Sequence, residues 1–444
     1  MNSALSKPVA IIGAGSSGLA AARAFLAQGF DVEILEREDD IGGNWNYGKP
    51  NARVYESTHT VSSKPFTQYP DFPMPDEFPD YPHHTEILQY LRRYCEHFGL
   101  GQYIQFQTEV VDVSRPDGDR GWKVTTRDRI SEHTKTAHYR AVVVANGHNW
   151  SPKTPEFPGR FDGEIIHSSE YREPSLLEGK NVCVVGAGNT GCDVVVKAAE
   201  HANRALHSTR RGYWYAPKFV FGKPGDQIYD MLLTLRLPPR AIQSLMEATV
   251  RLTVGHPTKA GLPRPDHRFL ETHPVTNELL IHYAKHGRIE ARHNIAEFDG
   301  SDVVFEDGRR DAVDLVVLCT GYHIALPFLD RDYFDVQYDR PRTYLNVFAP
   351  DEDDLFFVGF IQPDSGQFKL VHWQSVAAAR YLRSKAIDPE AAQQFEERRN
   401  RHIGDRADGG IDYKGSSRHF LEVQHMDYLR ELADAIETLG NHRR

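Results

Sequence analysis

The stretch Val9-Ala-Ile-Ile-Gly13-Ala-Gly15-Ser-Ser-Gly18-Leu decides how the first part of the chain folds. An apolar run stops at Gly13, a helical pattern follows, and a second apolar run ends on Glu36. This order of strand, Gly-x-Gly-x-x-Gly, helix, strand and acidic residue is the dinucleotide-binding fingerprint. It predicts a pyrophosphate cradle at a helix N-terminus, with Glu36 bonding the ribose hydroxyls of an ADP moiety. This first cradle is assigned Gly13, Ala14, Gly15, Ser16, Ser17 and Gly18.

A second copy of the fingerprint lies in Val184-Val-Gly186-Ala-Gly188-Asn-Thr-Gly191-Cys-Asp193. Its second strand runs into Ser208-Thr-Arg-Arg211, with no carboxylate in the place that Glu36 takes in the first copy. A carboxylate there favours a free 2′-hydroxyl, whereas arginines accommodate a 2′-phosphate through bidentate bonds. The first copy therefore predicts FAD and the second predicts NADPH. The second cradle is assigned Gly186, Gly188, Asn189, Thr190, Gly191, Asp193, Arg210 and Arg211.

Composition and charge exclude several classes of protein. The 444 residues carry a net charge of −10, from 52 basic and 62 acidic residues, without a basic tract. This balance predicts no nucleic-acid or membrane partner, and no apolar run approaches the roughly 20 residues needed to span a bilayer. The four cysteines are widely spaced and no metal-ligand set is evident, so we expect a reduced, cytoplasmic protein without a metal. A homodimer is compatible with the sequence.

Two regions carry neither fingerprint. Residues 51–82 are rich in Pro, Phe, Tyr and Asp, which favours a long loop packed by its own aromatics or a lining for an active site. Residues 213–275 include two helical patterns, at 226–234 and 241–254, and read either as a cap over a substrate or as ordinary helical packing. The predicted fold is α/β, with two three-layer Rossmann-like domains, the NADPH domain inserted into the FAD domain. The FAD domain is assigned residues 1–172 and 312–444, and the NADPH domain residues 173–311 with the 213–275 insertion.

Several ordered motifs give the chain its resemblance to the flavin-containing monooxygenases, within the class B flavoprotein monooxygenases. Between the two fingerprints lies Phe161-x-Gly163-x-x-x-His167-Ser-Ser-Glu-Tyr171, as in that family. The second fingerprint, from Val185 to Asp193, matches as well. So do three shorter runs, which are Ile41-Gly-Gly-Asn-Trp45, Leu318-Cys-Thr-Gly-Tyr322 and Gly359-Phe-Ile-Gln-Pro363. The resemblance, to a soluble bacterial type, covers roughly residues 5–385, and only 213–275 matches poorly.

The resemblance implies an NADPH- and FAD-dependent enzyme that oxygenates the N or S atom of a small molecule with O₂, through a C4a-hydroperoxyflavin. Two alternatives stay open: a Baeyer–Villiger-type ketone oxygenase, and an NADPH oxidase or flavin-binding protein that releases peroxide. Val61 stands where the family usually has an asparagine, so the resemblance leaves His59, Thr60 or Ser62 to supply a hydrogen bond near the flavin. The catalytic candidates are Thr60, Ser62 and His167. Further cofactor contacts are expected from Gly43, Asn44, Trp45, Val61, Val111, Gly321 and Gln362.

Overall fold

The first sheet is built around the strand of the first fingerprint. The structure, a computed structural model, describes residues 7–116, 120–333, 343–414 and 421–440. Val9–Ile12 is the central strand, because all four of its residues are buried and it pairs on both sides. The sheet is parallel, and its strands in spatial order are Leu355–Phe357, Ala141–Val144, Val9–Ile12, Val32–Leu35 and Ile104–Gln105.

Two further layers cover this sheet. Helices Ser16–Ala27 and Phe368–Ile387 pack against each other and against the face that presents Val9 and Ile11. Ala10 and Ile12 point to the other face, because successive side chains of a strand alternate. That face is covered by an antiparallel sheet of Thr108–Ser114, Trp122–Asp128 and Thr134–Tyr139.

The second sheet repeats this arrangement. Its five parallel strands in spatial order are Glu164–His167, Leu315–Leu318, Asn181–Val185, Arg204–Ser208 and Ile289–Arg292. Helices Asn189–His201 and Glu278–Lys285 cover one face. The other face packs on a small sheet of Gly159–Phe161, Ile295–Gly300, Asp302–Phe305 and Arg310–Ala312. The predicted α/β class with two three-layer Rossmann-like units is confirmed.

The sheet pairing places two strands differently from the expected domain limits at 172 and 312. Glu164–His167 and Leu315–Leu318 fall in the first domain by those limits, yet they pair with each other and Leu315–Leu318 pairs with Asn181–Val185. The domain limits at 172 and 312 stay a prediction, and the second sheet extends beyond them on both sides. Leu315–Leu318 has the same burial pattern as Ala141–Val144, and only the hydrogen bonds show which sheet it joins.

The 213–275 insertion contains helices Gly225–Thr234 and Pro239–Thr253, close to the two helical patterns in the sequence. They form a small core of their own with residues of the 411–413 segment. The remaining α-helices in the described part of the chain are Lys64–Thr67, His84–His97, Pro389–His402 and His425–Thr438. None of the helices within the described ranges has the length and apolar character needed to cross a bilayer.

Candidate active site

The first cradle has the geometry that a pyrophosphate requires. Gly13 has a φ of +102°, and a Cβ on Gly18 would lie 1.8 Å from the Gly13 carbonyl oxygen. Helix and strand can therefore approach this closely only with glycine at position 18. Helix Ser16–Ala27 has Gly15 as its N-cap, with no side-chain cap and no acidic residue in its first turn. Its first N–H groups are thus available to an anion.

Glu36 is held at the edge of this cradle by backbone amides. Its Oε2 accepts a 2.6 Å hydrogen bond from the Ala14 N–H, and its Oε1 accepts one of 2.8 Å from the Glu38 N–H. Burial raises the pKa of this carboxyl, and the two amide bonds oppose that rise. Remaining lone pairs on both oxygens can accept bonds from a pair of hydroxyls. The arrangement fits a ribose diol.

Other residues assigned to the first cofactor lie in three separate elements. The single-turn helix Gly43–Trp45 crosses the cradle, and a Cβ on Gly43 would lie 3.3 Å from the Gly15 Cα. Val111 lies where the register of its strand shifts, so it has no opposite residue on Trp122–Asp128. Gln362 begins a short strand that pairs with Glu422–Val423.

The second cradle repeats the first, but the side chains of Asn189 and Asp193 on its helix already have hydrogen-bond partners. Its helix has Gly188 as the N-cap, again with no side-chain cap and no acidic residue in the first turn. The side-chain amide of Asn189 donates to the Pro274 carbonyl and accepts from the Thr276 N–H, at 3.1 and 2.9 Å. The Asp193 carboxylate accepts from Tyr55 Oη at 2.6 Å and from Asn277 Nδ2 at 2.8 Å. Thr190 lies in the first turn of the same helix.

Asp193 joins the two units of the molecule. Tyr55 belongs to the 51–82 loop, and Asn277 caps helix Glu278–Lys285. The positive charge of Lys218 also favours the ionised form of Asp193, although burial, the largest influence, raises its pKa. Lys218 Nζ donates to the Thr60 carbonyl at 3.3 Å. These contacts fix the second cradle against the loop that carries the catalytic candidates.

The two arginines after the second strand differ in their surroundings. Arg210 is exposed. Arg211 makes a bidentate ion pair with Asp266, with Nε–Oδ2 and Nη2–Oδ1 distances of 2.7 and 2.9 Å.

The catalytic candidates on the 51–82 loop have different hydrogen-bonding capacity. Thr60 is buried, and its Oγ1 has no hydrogen-bond partner among the described residues. Ser62 Oγ lies 2.9 Å from Thr67 Oγ1. Val61 is 42% exposed and offers only an apolar surface. Thr60 therefore has the hydroxyl that is best able to accept a new partner, provided that the loop adjusts slightly.

His167 has both ring nitrogens engaged. Its Nε2 lies 3.1 Å from the Gly321 carbonyl, so that nitrogen carries the proton, and its Nδ1 accepts from the Ser169 N–H at 3.1 Å. Burial lowers the pKa of His167. A neutral imidazole with a hydrogen bond at each ring nitrogen joins the end of strand Glu164–His167 to the Gly321 turn. This geometry favours a structural role over proton transfer.

An apolar cavity adjoins the 51–82 loop. It has a volume of about 80 Å³, is partly open to solvent, and lies between the 51–82 loop, the insertion and residues 363–365. Val61 and Ser62 lie at the loop side, and Met246, Val250 and Phe269 line the insertion side. The insertion therefore forms part of the cavity wall, and its role as a cap over a substrate stays a prediction.

Sequence reasoning did not identify Tyr55, Lys218, Asn277 or Asp266. Each acts through a partner at least 55 residues away in the chain, so no local spacing marks it. The only signal for them in the sequence was Lys218, a basic residue within an otherwise apolar stretch.

Comparison with known proteins identifies the family. A family model described as flavin-binding monooxygenase-like matches residues 6–442. The chain belongs to this family. It is 33% identical over 450 residues to the N-oxide-forming dimethylaniline monooxygenase 2 of Oryctolagus cuniculus, covering 97% of this chain and 82% of the relative. It is 32% identical to flavin-containing monooxygenase 5 of the same species, covering 98% and 84%.

Solved structures share the fold. The S-allyl-L-cysteine S-oxygenase of Allium sativum superposes with a TM-score of 0.67 at 23% identity, over 97% of this chain and 88% of that one. A steroid monooxygenase bound to NADP gives a TM-score of 0.71 at 20% identity, over 97% and 98%. As a flavin-binding monooxygenase, the protein is an oxidoreductase that oxygenates a soft nucleophile, with FAD and NADPH as its cofactors.

Proposed function

We propose that the protein transfers one oxygen atom of O₂ to the nitrogen or sulfur atom of a small, largely apolar molecule held in the cavity beside Val61. The observation that carries this proposal is the position of the cavity, whose apolar wall reaches the loop with Thr60, Val61 and Ser62. A neutral amine or thioether enters such a space at little desolvation cost. No general base is needed to activate it.

The two cofactors are assigned to the two cradles. In this proposal Gly13–Gly18, Glu36, Gly43–Trp45, Val61, Val111 and Gln362 hold FAD. Gly186, Gly188, Thr190, Gly191, Arg210 and Arg211 hold NADPH, while Asn189 and Asp193 act by positioning the cradle. When bound, NADPH supplies a hydride and reduced FAD activates O₂. Thr60 would donate a hydrogen bond beside the flavin, and the apolar walls would exclude water.

The sheet pairing supports a proposed division of the chain into two units. We assign residues 159–318 to the NADPH unit and the flanking parts of the chain to the FAD unit. Cytoplasmic location, a homodimer, and the absence of membrane or nucleic-acid partners stay predictions from the sequence.

Isotope labelling tests the proposed reaction. The FAD-loaded protein is incubated with NADPH, ¹⁸O₂ and either a tertiary amine or a thioether, with a cyclic ketone as the comparison substrate. We expect one ¹⁸O atom in the N-oxide or sulfoxide and close to one product molecule per NADPH consumed. Ester formation from the ketone alone would contradict the assignment to heteroatoms. Stoichiometric peroxide with no oxygenated product would contradict oxygenation itself.

A further inference from the structure

Arg211 is held by a carboxylate in the geometry that it would also offer to a phosphate. Its Nε and Nη2 each donate to one oxygen of Asp266, at 2.7 and 2.9 Å. A guanidinium forms the same parallel pair of bonds with carboxylates and with phosphates. The two anions therefore cannot occupy these donors at the same time.

Asp266 is placed there by the end of the insertion. Its Oδ1 also accepts from His267 Nδ1 at 2.8 Å. The backbone of Pro265 lies beside Gly212, and a Cβ on Gly212 would lie 2.2 Å from the Arg264 carbonyl oxygen. The segment 264–266 is thus in direct backbone contact with the chain that follows Arg211.

The Asp266 carboxylate is ionised at neutral pH. Burial alone would raise its pKa, but hydrogen bonds from Arg211 and His267 outweigh burial and lower the pKa to about 2. His267 itself is neutral in this arrangement, because burial lowers its pKa and its Nε2 lies 3.0 Å from Thr272 Oγ1. Arg211 therefore faces a full negative charge before any ligand arrives.

We propose that Asp266 competes with the 2′-phosphate of NADPH for Arg211, and so sets how strongly the enzyme prefers NADPH over NADH. This inference rests on the proposed assignment of the second cradle to NADPH. Binding of NADPH exchanges one anion for another on Nε and Nη2, while Asp266 keeps its bond from His267. NADH lacks the phosphate and leaves the ion pair intact, so Asp266 weakens only the binding of NADPH.

A structural role for the pair makes the opposite prediction. If Arg211 serves only to fasten the insertion and Arg210 alone meets the phosphate, removal of Asp266 loosens the site. Affinity for NADP⁺ then stays the same or falls. The two roles thus differ in the direction of a measurable change.

The test is a titration of the FAD-loaded, full-length protein with NADP⁺ and with NAD⁺. Calorimetry at fixed low ionic strength measures the binding. Asp266→Asn keeps an oxygen for His267 and removes the charge that Arg211 faces. For a half-exposed ion pair we expect about two- to fivefold tighter binding of NADP⁺. Binding of NAD⁺ should not change. Asp266→Ala serves as the second variant, and thermal unfolding checks that both are folded.

Two further variants make the result decisive. Asp299→Asn removes one charge from an exposed ion pair with Arg310 in the same unit and should leave NADP⁺ binding unchanged. Arg211→Ala should weaken NADP⁺ binding and abolish the effect of Asp266→Asn in the double variant. Unchanged or weaker NADP⁺ binding in Asp266→Asn, or equal tightening in Asp299→Asn, would overturn the inference. If the wild-type protein bound no NADP⁺ at all, the proposed function would fall with it.

Discussion

The phenol of Tyr55 donates a 2.6 Å hydrogen bond to Asp193, across 138 residues of chain and from one unit to the other. Asp193 lies in the helix that begins at the second cradle, whereas Tyr55 belongs to the 51–82 loop beside the cavity. The alignment of the two cradles thus depends on a contact between the 51–82 loop and Asp193 of the second cradle.

Replacing Tyr55 by phenylalanine tests this alignment. The change leaves one Asp193 oxygen short of a donor, at a cost of about 1–3 kcal/mol in the free energy of unfolding. Because a small misplacement of reacting groups slows catalysis strongly, we expect the rate of flavin reduction by NADPH to fall about tenfold or more. Stopped-flow absorbance measures that rate. Tyr283→Phe, which loses a bond to Glu200 in the same helix, is the matched control and should reduce flavin normally.

The variant Glu36→Gln tests how strongly Glu36 contributes to the binding of FAD. The amide keeps an acceptor for the Ala14 N–H but loses the charge that strengthens bonds from the ribose hydroxyls. We expect FAD affinity to fall about 10- to 100-fold, since hydrogen bonds to charged groups contribute roughly 1.5–3 kcal/mol. The ratio of flavin to protein absorbance after dialysis measures the loss. Glu33→Gln, on the same strand but bonded to Tyr139, should keep its flavin.

The roles of Thr60 and Val61 are tested by the ratio of oxygenated product to hydrogen peroxide. Thr60→Val removes the unpartnered hydroxyl with little change in volume, and we expect the fraction of NADPH electrons recovered as peroxide to rise several-fold. Val61→Asn introduces a donor on the exposed side of the same loop and should lower that fraction. Peroxide and product are assayed in the same reaction. An unchanged ratio in both variants would show that neither position controls oxygen transfer.

The surroundings of the His425 side chain predict how the free energy of unfolding depends on pH. Its Nδ1 lies 2.8 Å from Asp364 and its Nε2 lies 3.1 Å from Asp230 in the insertion. Burial alone would lower the pKa of His425, but the charge of Asp364 and both hydrogen bonds outweigh burial and raise it to about 9. Tyr229 also donates to Asp364, but burial raises its pKa far above 10, so it stays neutral. The charge of Lys369 also acts on Asp230 and lowers the pKa of that carboxyl.

A raised pKa in the folded state means that His425 stabilises the protein when it is protonated. The full contribution, about 3 kcal/mol, is present below the unfolded pKa of about 6.5 and is lost as the pH rises through about 9. We therefore expect the unfolding temperature of the wild type to fall more between pH 7 and pH 10 than that of His425→Gln. Thermal unfolding over this range measures the difference. Parallel curves for the two proteins would contradict the prediction.

The sequence was sufficient where local spacing carries the information. Gly13, Gly18 and Glu36 act within a single strand–helix–strand unit, so their order along the chain already describes their geometry. Periodicity also located the two helices of the insertion. The partners of Asp193 and Arg211 could not be predicted in this way. Both residues obtain these partners only when distant segments of the chain pack together. Strand Leu315–Leu318 is another such case, since its burial pattern fits either sheet.

The short strands Ser151–Pro152 and Tyr322–His323 precede and follow the second unit in the chain, and they pair with each other in antiparallel register. The chain therefore enters and leaves the second unit at one place. The Tyr55–Asp193 hydrogen bond is a separate contact between the two units. A rotation of one cradle relative to the other would have to open that bond, but would not require any strand pair within the two sheets to break.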